Sequence, residues 1–342
     1  MLPQVTVIVP AFNEAACLAD TLDSLRRQTL PAAEVIVVDD CSTDGTGEIA
    51  SAHGAAVLRP LSNTGSKAGA QTFALPRVAT ELVVAVDADT TLAPDALEQL
   101  VKVFCVDEGL AAACGFVVPR KVRTVWERGR YIEYLFAFNF YKQVQDFYGK
   151  PIIASGCFSM YRTASLRACG GWSARTLAED MDLTWTFYEH GWRVRFVPDA
   201  VAYPLEPEGY VHLRAQLRRW SHGFVQNVRL HWRGLLDVSF LRTAVAVALW
   251  DASIASVAFL LLLPILAVAT GNLLPLIGYV IDAPAVAVPV LAAAVTRKEI
   301  RRAVASLPAF FVLRTLNALF FVRALWAEVV QRRPLLVYEK GH

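Results

Sequence analysis

Apolar residues in this chain follow two rhythms, and the change between them divides it. In the first part, short unbroken apolar runs alternate with stretches at helical spacing. Val5-Thr6-Val7-Ile8-Val9 is closed by Pro10, and Val35-Ile36-Val37-Val38 ends in Asp39-Asp40. Ala56-Val57-Leu58 is shorter, Leu82-Val83-Val84-Ala85-Val86 ends in Asp87-Ala88-Asp89, and 111–118 is a further run. Unbroken apolar runs of this length suit strands buried on both faces of a parallel sheet. Helices are predicted over 13–28, where Ala15, Leu18, Leu22 and Leu25 keep helical spacing, and near 46–53 after the cap-and-turn Ser42-Thr43-Asp44-Gly45. Two more are predicted over 68–79 and over 94–106, the latter with Pro94 in its first turn. Such alternation implies right-handed βαβ crossovers and an α/β fold with a mostly parallel sheet.

The second rhythm starts near residue 243. Between Thr243 and Thr296 there is no Lys or Arg, and only Asp251 and Asp282 are acidic. About 20 apolar residues suffice to span a bilayer, so 243–269 and 273–295 are predicted spans, turned back on each other at Gly271-Asn272. Asp251 is expected to face protein or a channel rather than lipid. Arg229, Arg233 and Arg242 precede the pair and Arg297, Lys298, Arg301 and Arg302 follow it, which puts both flanks in the cytosol. The stretch 303–330 is apolar but holds Arg314, Asn317 and Arg323. It is read as re-entrant, interfacial or buried against other helices, ahead of a basic tail, 331–342. The expected division is a catalytic domain over 1–235 and a helical membrane domain over 243–330.

Composition changes this picture in three ways. Of 342 residues 55% are hydrophobic, and 33 basic against 31 acidic side chains leave a net charge of only +2. With no dense Lys/Arg block, nucleic acid is excluded as a partner. Six cysteines lie in the first half without a CxxC pair, as reduced thiols would in the cytosol. Met1 leads almost directly into a strand with no apolar signal segment, so the N-terminal domain is expected to stay cytosolic, in an integral protein of the plasma (inner) membrane.

The candidate chemistry lies at strand ends. Ligands of such sheets bind beyond the carboxyl ends of the strands, where Pro10, Asp39, Asp40, Asp87 and Asp89 fall. Isolated buried carboxylates are unfavourable, and hard oxygen ligands suit Mg²⁺ or Mn²⁺ carrying a phosphorylated ligand. An Asp-rich turn is the plainer alternative. No G-x-G-x-x-G follows the first strand, which argues against a dinucleotide site. Further on, 124–148 is rich in Trp, Tyr and Phe with Arg128, Arg130, Glu133 and Lys142 interleaved. It fits a helix at the membrane interface, or one packed on the sheet. Leu177-Ala178-Glu179-Asp180-Met181-Asp182 places three acids at a helix start, where acids are also favoured by the helix dipole.

Three stretches, Val-Ile-Val-Pro-Ala-Phe-Asn-Glu (7–14), Val-Val-Asp-Asp-Cys-Ser-Thr-Asp-Gly-Thr (37–46) and Asp-Ala-Asp (87–89), resemble the inverting family-2 glycosyltransferases. The resemblance implies a GT-A fold and a nucleotide-sugar donor. It implies that Glu14 and Asp40 hold the nucleobase and ribose, that Asp87 sits by the sugar and diphosphate, and that Asp89 binds the metal. Lys67, in Asn-Thr-Gly-Ser-Lys-Ala, resembles a donor-side Asn-x-Gly-Lys-Ala stretch with one extra residue. Gly156, within Ala154–Arg162, resembles the family's acceptor-side loop. The Glu179-Asp180 pair resembles its Thr-Glu-Asp triplet, with Ala178 for Thr and Asp180 as the general base. Gln216-Leu217-Arg218-Arg219-Trp220 matches the Gln-x-x-Arg-Trp signature of membrane-bound polysaccharide synthases, those of cellulose, chitin, hyaluronan and poly-N-acetylglucosamine. There Arg219 would meet the leaving diphosphate and Trp220 a sugar ring, on a helix near 210–235 that also suits the membrane surface.

The expected protein is thus a membrane-embedded, metal-dependent inverting transferase. It would move a sugar from a UDP-sugar to a carbohydrate acceptor, in polysaccharide synthesis. Transfer of one sugar to a lipid-linked acceptor is the first alternative, since a polymer channel needs more helices than two spans unless the protein forms a homo-oligomer or has an export partner. A silent scaffold that binds nucleotide-sugars in the membrane is the second.

Overall fold

The structure, a computed structural model, describes residues 2–251 and 257–335. It opens with β1 (Val5–Ala11), α1 (Leu18–Arg26), β2 (Glu34–Asp39), α2 (Thr46–Ala52), β3 (Ala56–Leu58), α3 (Lys67–Ala74) and β4 (Leu82–Val86). A short β5 (Thr91–Leu92), α4 (Ala96–Val106) and β6 (Leu110–Val117) follow. The aromatic stretch forms α5 (Val125–Phe136) and α6 (Lys142–Phe147), joined by a π-helical turn over Ala137–Tyr141. Then come β7 (Phe158–Arg162), α7 (Thr163–Ala168), α8 (Glu179–Glu189) and β8 (Arg193–Tyr203).

The eight strands form one sheet in the order β3-β2-β1-β4-β7-β6-β8-β5. β1 pairs in parallel with β2 and β4, β2 with β3, and β6 with β8, whereas β7 runs antiparallel between β4 and β6. Alternate residues of each strand feed separate cores. Val7, Val9, Val37, Val84 and Val86 pack under α1 and α4, while Ile8, Ile36, Val38, Val83 and Ala85 pack on the other face. Burial of both faces is why the strands read as unbroken apolar runs.

Three boundaries differ from the sequence reading. The helix expected from residue 13 begins at Leu18, because Asn13 holds a left-handed backbone (φ 55°) in the loop after β1. The helix expected to 79 ends at Ala74, where Pro76 forces a 3₁₀ turn over Leu75–Arg77. The strand β7 lies where a loop was expected, and β8 is interrupted in register opposite Gly115 and Phe116.

The remaining helices are α9 (Tyr210–Asp237), α10 (Ser239–Leu249), α11 (Leu263–Thr270), α12 (Ile277–Thr296) and α13 (Ile300–Leu325), with a π-helical turn at Trp326–Val330. By length and apolarity, Leu274–Thr296 and Ile300–Val330 could each cross a membrane. The span expected over 243–269 runs through 252–256, and the tail expected over 331–342 runs through 336–342, both outside the described residues. The stretch 303–330 is a continuous helix rather than a re-entrant segment, buried along one side against α5 and α9. Val286, Val290, Ala294, Ala303 and Phe310 of α12 and α13 join the core on the α5 face of the sheet. Tyr131, Ile132, Leu135 and Phe138 lie in that same core, and Phe140, Phe147 and Tyr148 are exposed. The aromatic stretch is therefore packed on the sheet at one side and bare at the other.

Candidate active site

A cavity of about 310 Å³ opens beyond the carboxyl ends of β1, β2 and β4. Pro10, Phe12, Glu14, Asp40, Asp87 and Asp89 form one side, Lys67 and Ala70 of α3 the floor, and Leu205, Pro207, Gln216 and Arg219 the other side.

The loops after β1 and β2 are tied by side chains that replace regular structure. Ser42 Oγ accepts from the Asn13 amide (2.9 Å), Asn13 Oδ1 from the Thr43 amide (2.8 Å), and Thr46 Oγ1 from the Glu14 amide (2.8 Å). Asn13 and Cys41 take left-handed backbones to do so (φ 55° and 66°), a conformation that stores strain in residues other than glycine. The result fixes Glu14 and Asp40 at the cavity. Asp40 accepts from the amide and the hydroxyl of Thr64, both at 2.8 Å.

Asp39 does not reach the cavity. It is buried, accepts from the Ser42 amide (2.9 Å) and pairs with Arg59 (2.8 Å). Neighbouring strand residues point to opposite faces, so only one of the two acids could serve the site.

Beside Asp87, Lys67 starts α3, whose N-cap Ser66 accepts from the Gly69 amide (3.1 Å). Its ammonium pairs with Asp87, donates to the Gly156 carbonyl (3.0 Å) and stands 3.9 Å from Glu179. Gly156 in turn donates its amide to Asp180 Oδ2 at 2.7 Å, while Asp180 Oδ1 accepts from the Met181 amide at 2.9 Å. A Cβ at Gly156 would lie 2.9 Å from Asp180 Oδ2 and 3.1 Å from the Lys67 ammonium, so any larger residue would push one or both side chains from their present places. Burial raises the pKa of both Glu179 and Asp180, and Lys67 pulls each back down. A carboxylate whose pKa is raised by burial and which stands beside a cation suits a general base.

Asp89 is buried, lines the cavity and accepts from the Thr90 hydroxyl at 3.0 Å. Its backbone carbonyl accepts from Arg120 and from the Leu205 amide (3.3 Å), which ties β4 to the loop after β8.

The wall opposite the strand ends is set by α8 and α9. Asn227 of α9 donates to the Ala178 carbonyl (3.0 Å), and a Cβ at Gly223 would come within 2.7 Å of the Ala178 Cβ. This close approach brings Gln216 and Arg219 to the cavity. Trp220 faces elsewhere: it lines a second cavity of about 580 Å³ between α5, α9, α12 and α13, with Phe136, Phe224 and Phe310. Asp251 lies at this cavity, half-exposed and 3.3 Å from Arg314, which also pairs with Asp282.

The structure thus gathers Pro10, Glu14, Asp40, Lys67, Asp87, Asp89, Gln216 and Arg219 around one cavity. Gly156, Glu179 and Asp180 join it through Lys67, while Asp39 and Trp220 lie outside it. Two charged residues without an assigned role in the sequence reading adjoin the site, Arg130 in the aromatic helix and Glu206 between the cavity residues Leu205 and Pro207. Arg130 was one of several charges interleaved in that aromatic stretch, with nothing in the spacing to single it out, and Glu206 had no signal.

Comparisons place this arrangement in a class of proteins. A mannosyltransferase from Pyrobaculum calidifontis, solved in complex with GDP-Man and Mn²⁺, shares the fold with a TM-score of 0.58. It is 23% identical over 92% of this chain and 88% of that one, which carries the fold alone. Residues 6–170 match the model of glycosyl transferase family 2, and this region is a family-2 glycosyltransferase domain. The chain is similar to poly-beta-1,6-N-acetyl-D-glucosamine synthases of Staphylococcus aureus (strain COL), 25% identical over 65% of the chain, and of Staphylococcus epidermidis, 26% over 64%. It spans about half the length of these curated relatives, 55% and 54%.

Proposed function

We propose that this protein is a membrane-embedded inverting glycosyltransferase that moves a sugar from a UDP-sugar to a carbohydrate acceptor, in the synthesis of a polysaccharide. The observation that carries the reading is the bridge at Gly156, whose amide holds Asp180 and whose carbonyl holds Lys67 at the sugar end of the donor cavity. The similarity to poly-N-acetylglucosamine synthases supports a polymer product and N-acetylglucosamine as the first donor to try.

In this reading Glu14 and Asp40 hold the nucleoside, and Asp87, kept in place by Lys67, meets the sugar and diphosphate. An acceptor hydroxyl attacks the anomeric carbon from the side opposite the diphosphate. Its proton passes to the Asp180 carboxylate as the new carbon–oxygen bond forms, and the electron pair of the broken bond leaves on the diphosphate. Arg219, at the cavity wall, offers a forked cation to that developing charge.

The donor set fits a hard divalent cation. Asp89 and Asp87 offer carboxylate oxygens, and among the described residues no group of three acidic, His or Cys side chains is arranged to hold a metal by itself. Mg²⁺ or Mn²⁺ is commonly held by one or two carboxylates together with substrate phosphates. When bound, the ion would neutralise the leaving diphosphate. The mannosyltransferase of like fold was solved with Mn²⁺.

Two helices long enough to cross a membrane support an integral membrane placement, and Arg229, Arg233 and Arg242, ahead of the apolar stretch that starts near 243, favour a cytosolic catalytic domain. The apolar lining of the second cavity also favours a second reading, transfer of a single sugar to a lipid-linked acceptor. The test is UDP release by detergent-solubilised protein against a panel of UDP-sugars with Mn²⁺ or Mg²⁺, with product size measured and membrane lipid extract supplied as acceptor. Metal-dependent turnover into polymer supports the first reading and turnover into lipid the second. Binding of UDP without turnover on any donor would leave only a scaffold.

A further inference from the structure

Arg130 carries its charge where solvent does not reach, with no exposed side-chain surface. The guanidinium has four neighbours. It pairs with Glu133 one turn along α5, lies 3.6 Å from the Glu206 carboxylate, donates to Gln216 Oε1 at 2.9 Å, and covers the Trp220 ring at 4.4 Å from its centroid. Gln216 and Trp220 are the first and last residues of the Gln-x-x-Arg-Trp stretch, and they serve different cavities. One cation therefore fixes both ends of that stretch.

The two carboxylates are themselves held from outside. Tyr134 donates its hydroxyl to Glu206 Oε1 at 2.8 Å, and Asn317 of α13 donates to Glu133 Oε1 at 2.8 Å. A chain of contacts thus runs from α13 through Glu133 and Arg130 to the acceptor end of the donor cavity. A buried charge is costly unless it is paired, and Glu133 and Gln216 supply the hydrogen bonds this guanidinium makes, while its Nε faces Glu206 Oε2 at 3.6 Å without one. Lysine would not serve: its ammonium cannot bridge two carboxylates and an amide oxygen while lying flat on an indole.

We propose that Arg130 is a positioning residue of the transfer reaction, which aims Gln216 and Trp220 and is itself set by α13 through Asn317 and Glu133. The proposal rests on the functional reading above, and two kinds of readout keep them apart. Arg130→Lys is expected to lower acceptor-dependent kcat/KM about tenfold or more, as small misplacements near a reacting centre do, with UDP affinity unchanged. It is also expected to shift the emission of Trp220 to the red, obtained as the difference between proteins with and without Trp220→Phe. Asn317→Leu, which leaves Arg130 in place, should move both readouts the same way by less, and it carries the test if Arg130→Lys fails to fold. Unchanged kcat/KM together with unchanged Trp220 emission would overturn the proposal. An emission shift in a protein whose wild type transfers no sugar supports the positioning and overturns the functional reading alone.

Discussion

The imidazole of His231 stands between two carboxylates, with Nε2 2.7 Å from Asp182 and Nδ1 2.8 Å from Glu189. Both ring nitrogens face acceptors, an arrangement that favours the doubly protonated cation. Arg175 adds a second cation to Asp182, at 2.7 Å. These contacts lock α8, which carries Asp180, onto α9, which carries Arg219. They raise the pKa of His231 against the opposing effect of burial, and they lower that of Asp182.

The signs give a stability window. The His231 contribution is complete below its unfolded pKa near 6.5 and fades as pH rises through the higher folded value. That of Asp182 is complete above its unfolded value near 3.8 and fades as pH falls through the lower folded one. Melting temperature is expected to decline on the alkaline side of 6.5, and His231→Gln to remove that dependence while costing about 3 kcal/mol, as loss of one partner in a buried ion pair does. A wild-type melting curve indifferent to pH from 6 to 9 would count against the clamp.

Asp180→Asn should lower kcat by a factor of about 10² to 10⁴, the usual contribution of a general base, with UDP affinity kept. Because the pKa of Asp180 is raised and the base must be ionised, activity should fall with acidity on a limb above the ordinary carboxylate range. Stopped assays across pH 4 to 8 measure this limb; a variant as active as wild type removes Asp180 from the role.

Gly156→Ala inserts a methyl between Asp180 and Lys67. Transfer is expected to drop at least tenfold, since a displacement below 1 Å at the base is enough, while the melting temperature stays within a few degrees. Equal losses in activity and stability would show that the glycine serves the fold instead.

Asp39 and Asp40 should part company. Asp40→Asn is expected to weaken UDP binding, beyond whatever stability its bonds to Thr64 carry. Asp39→Asn should leave UDP affinity alone and destabilise by about 1–3 kcal/mol, through its bonds to Ser42 and Arg59. Calorimetric titration with UDP on both variants decides between them.

Chelation should abolish transfer and weaken UDP binding, with Mn²⁺ or Mg²⁺ restoring both. Asp89→Asn should make UDP affinity indifferent to the metal, which reads the site independently of turnover.

The first half of the fold was legible because β1, β2 and β4 are buried on both faces and terminate in residues that cannot continue inward. Asp39 shows what was overlooked: strand alternation alone separates it from Asp40. The strand β7 was not legible, since Phe158-Ser159-Met160-Tyr161-Arg162 mixes polar and apolar residues although four of the five are buried, Ser159 through its bond to the Ser155 carbonyl. Nor could spacing show that Trp220 leaves the cavity which Gln216 and Arg219 share, because Arg130, 90 positions earlier, decides where that ring lies.

Helix α9 is a party wall. Gln216 and Arg219 look into one chamber, and Leu217 and Trp220 into the next, with no second layer between them. A guest that displaces the wall from either side alters the room left on the other. By thermodynamic reciprocity the factor by which a donor changes the affinity of the second chamber equals the factor by which that chamber's occupant changes donor affinity. Were an occupant of either chamber to shift α9, filling and emptying of the two would become one coupled equilibrium, carried by a single helix.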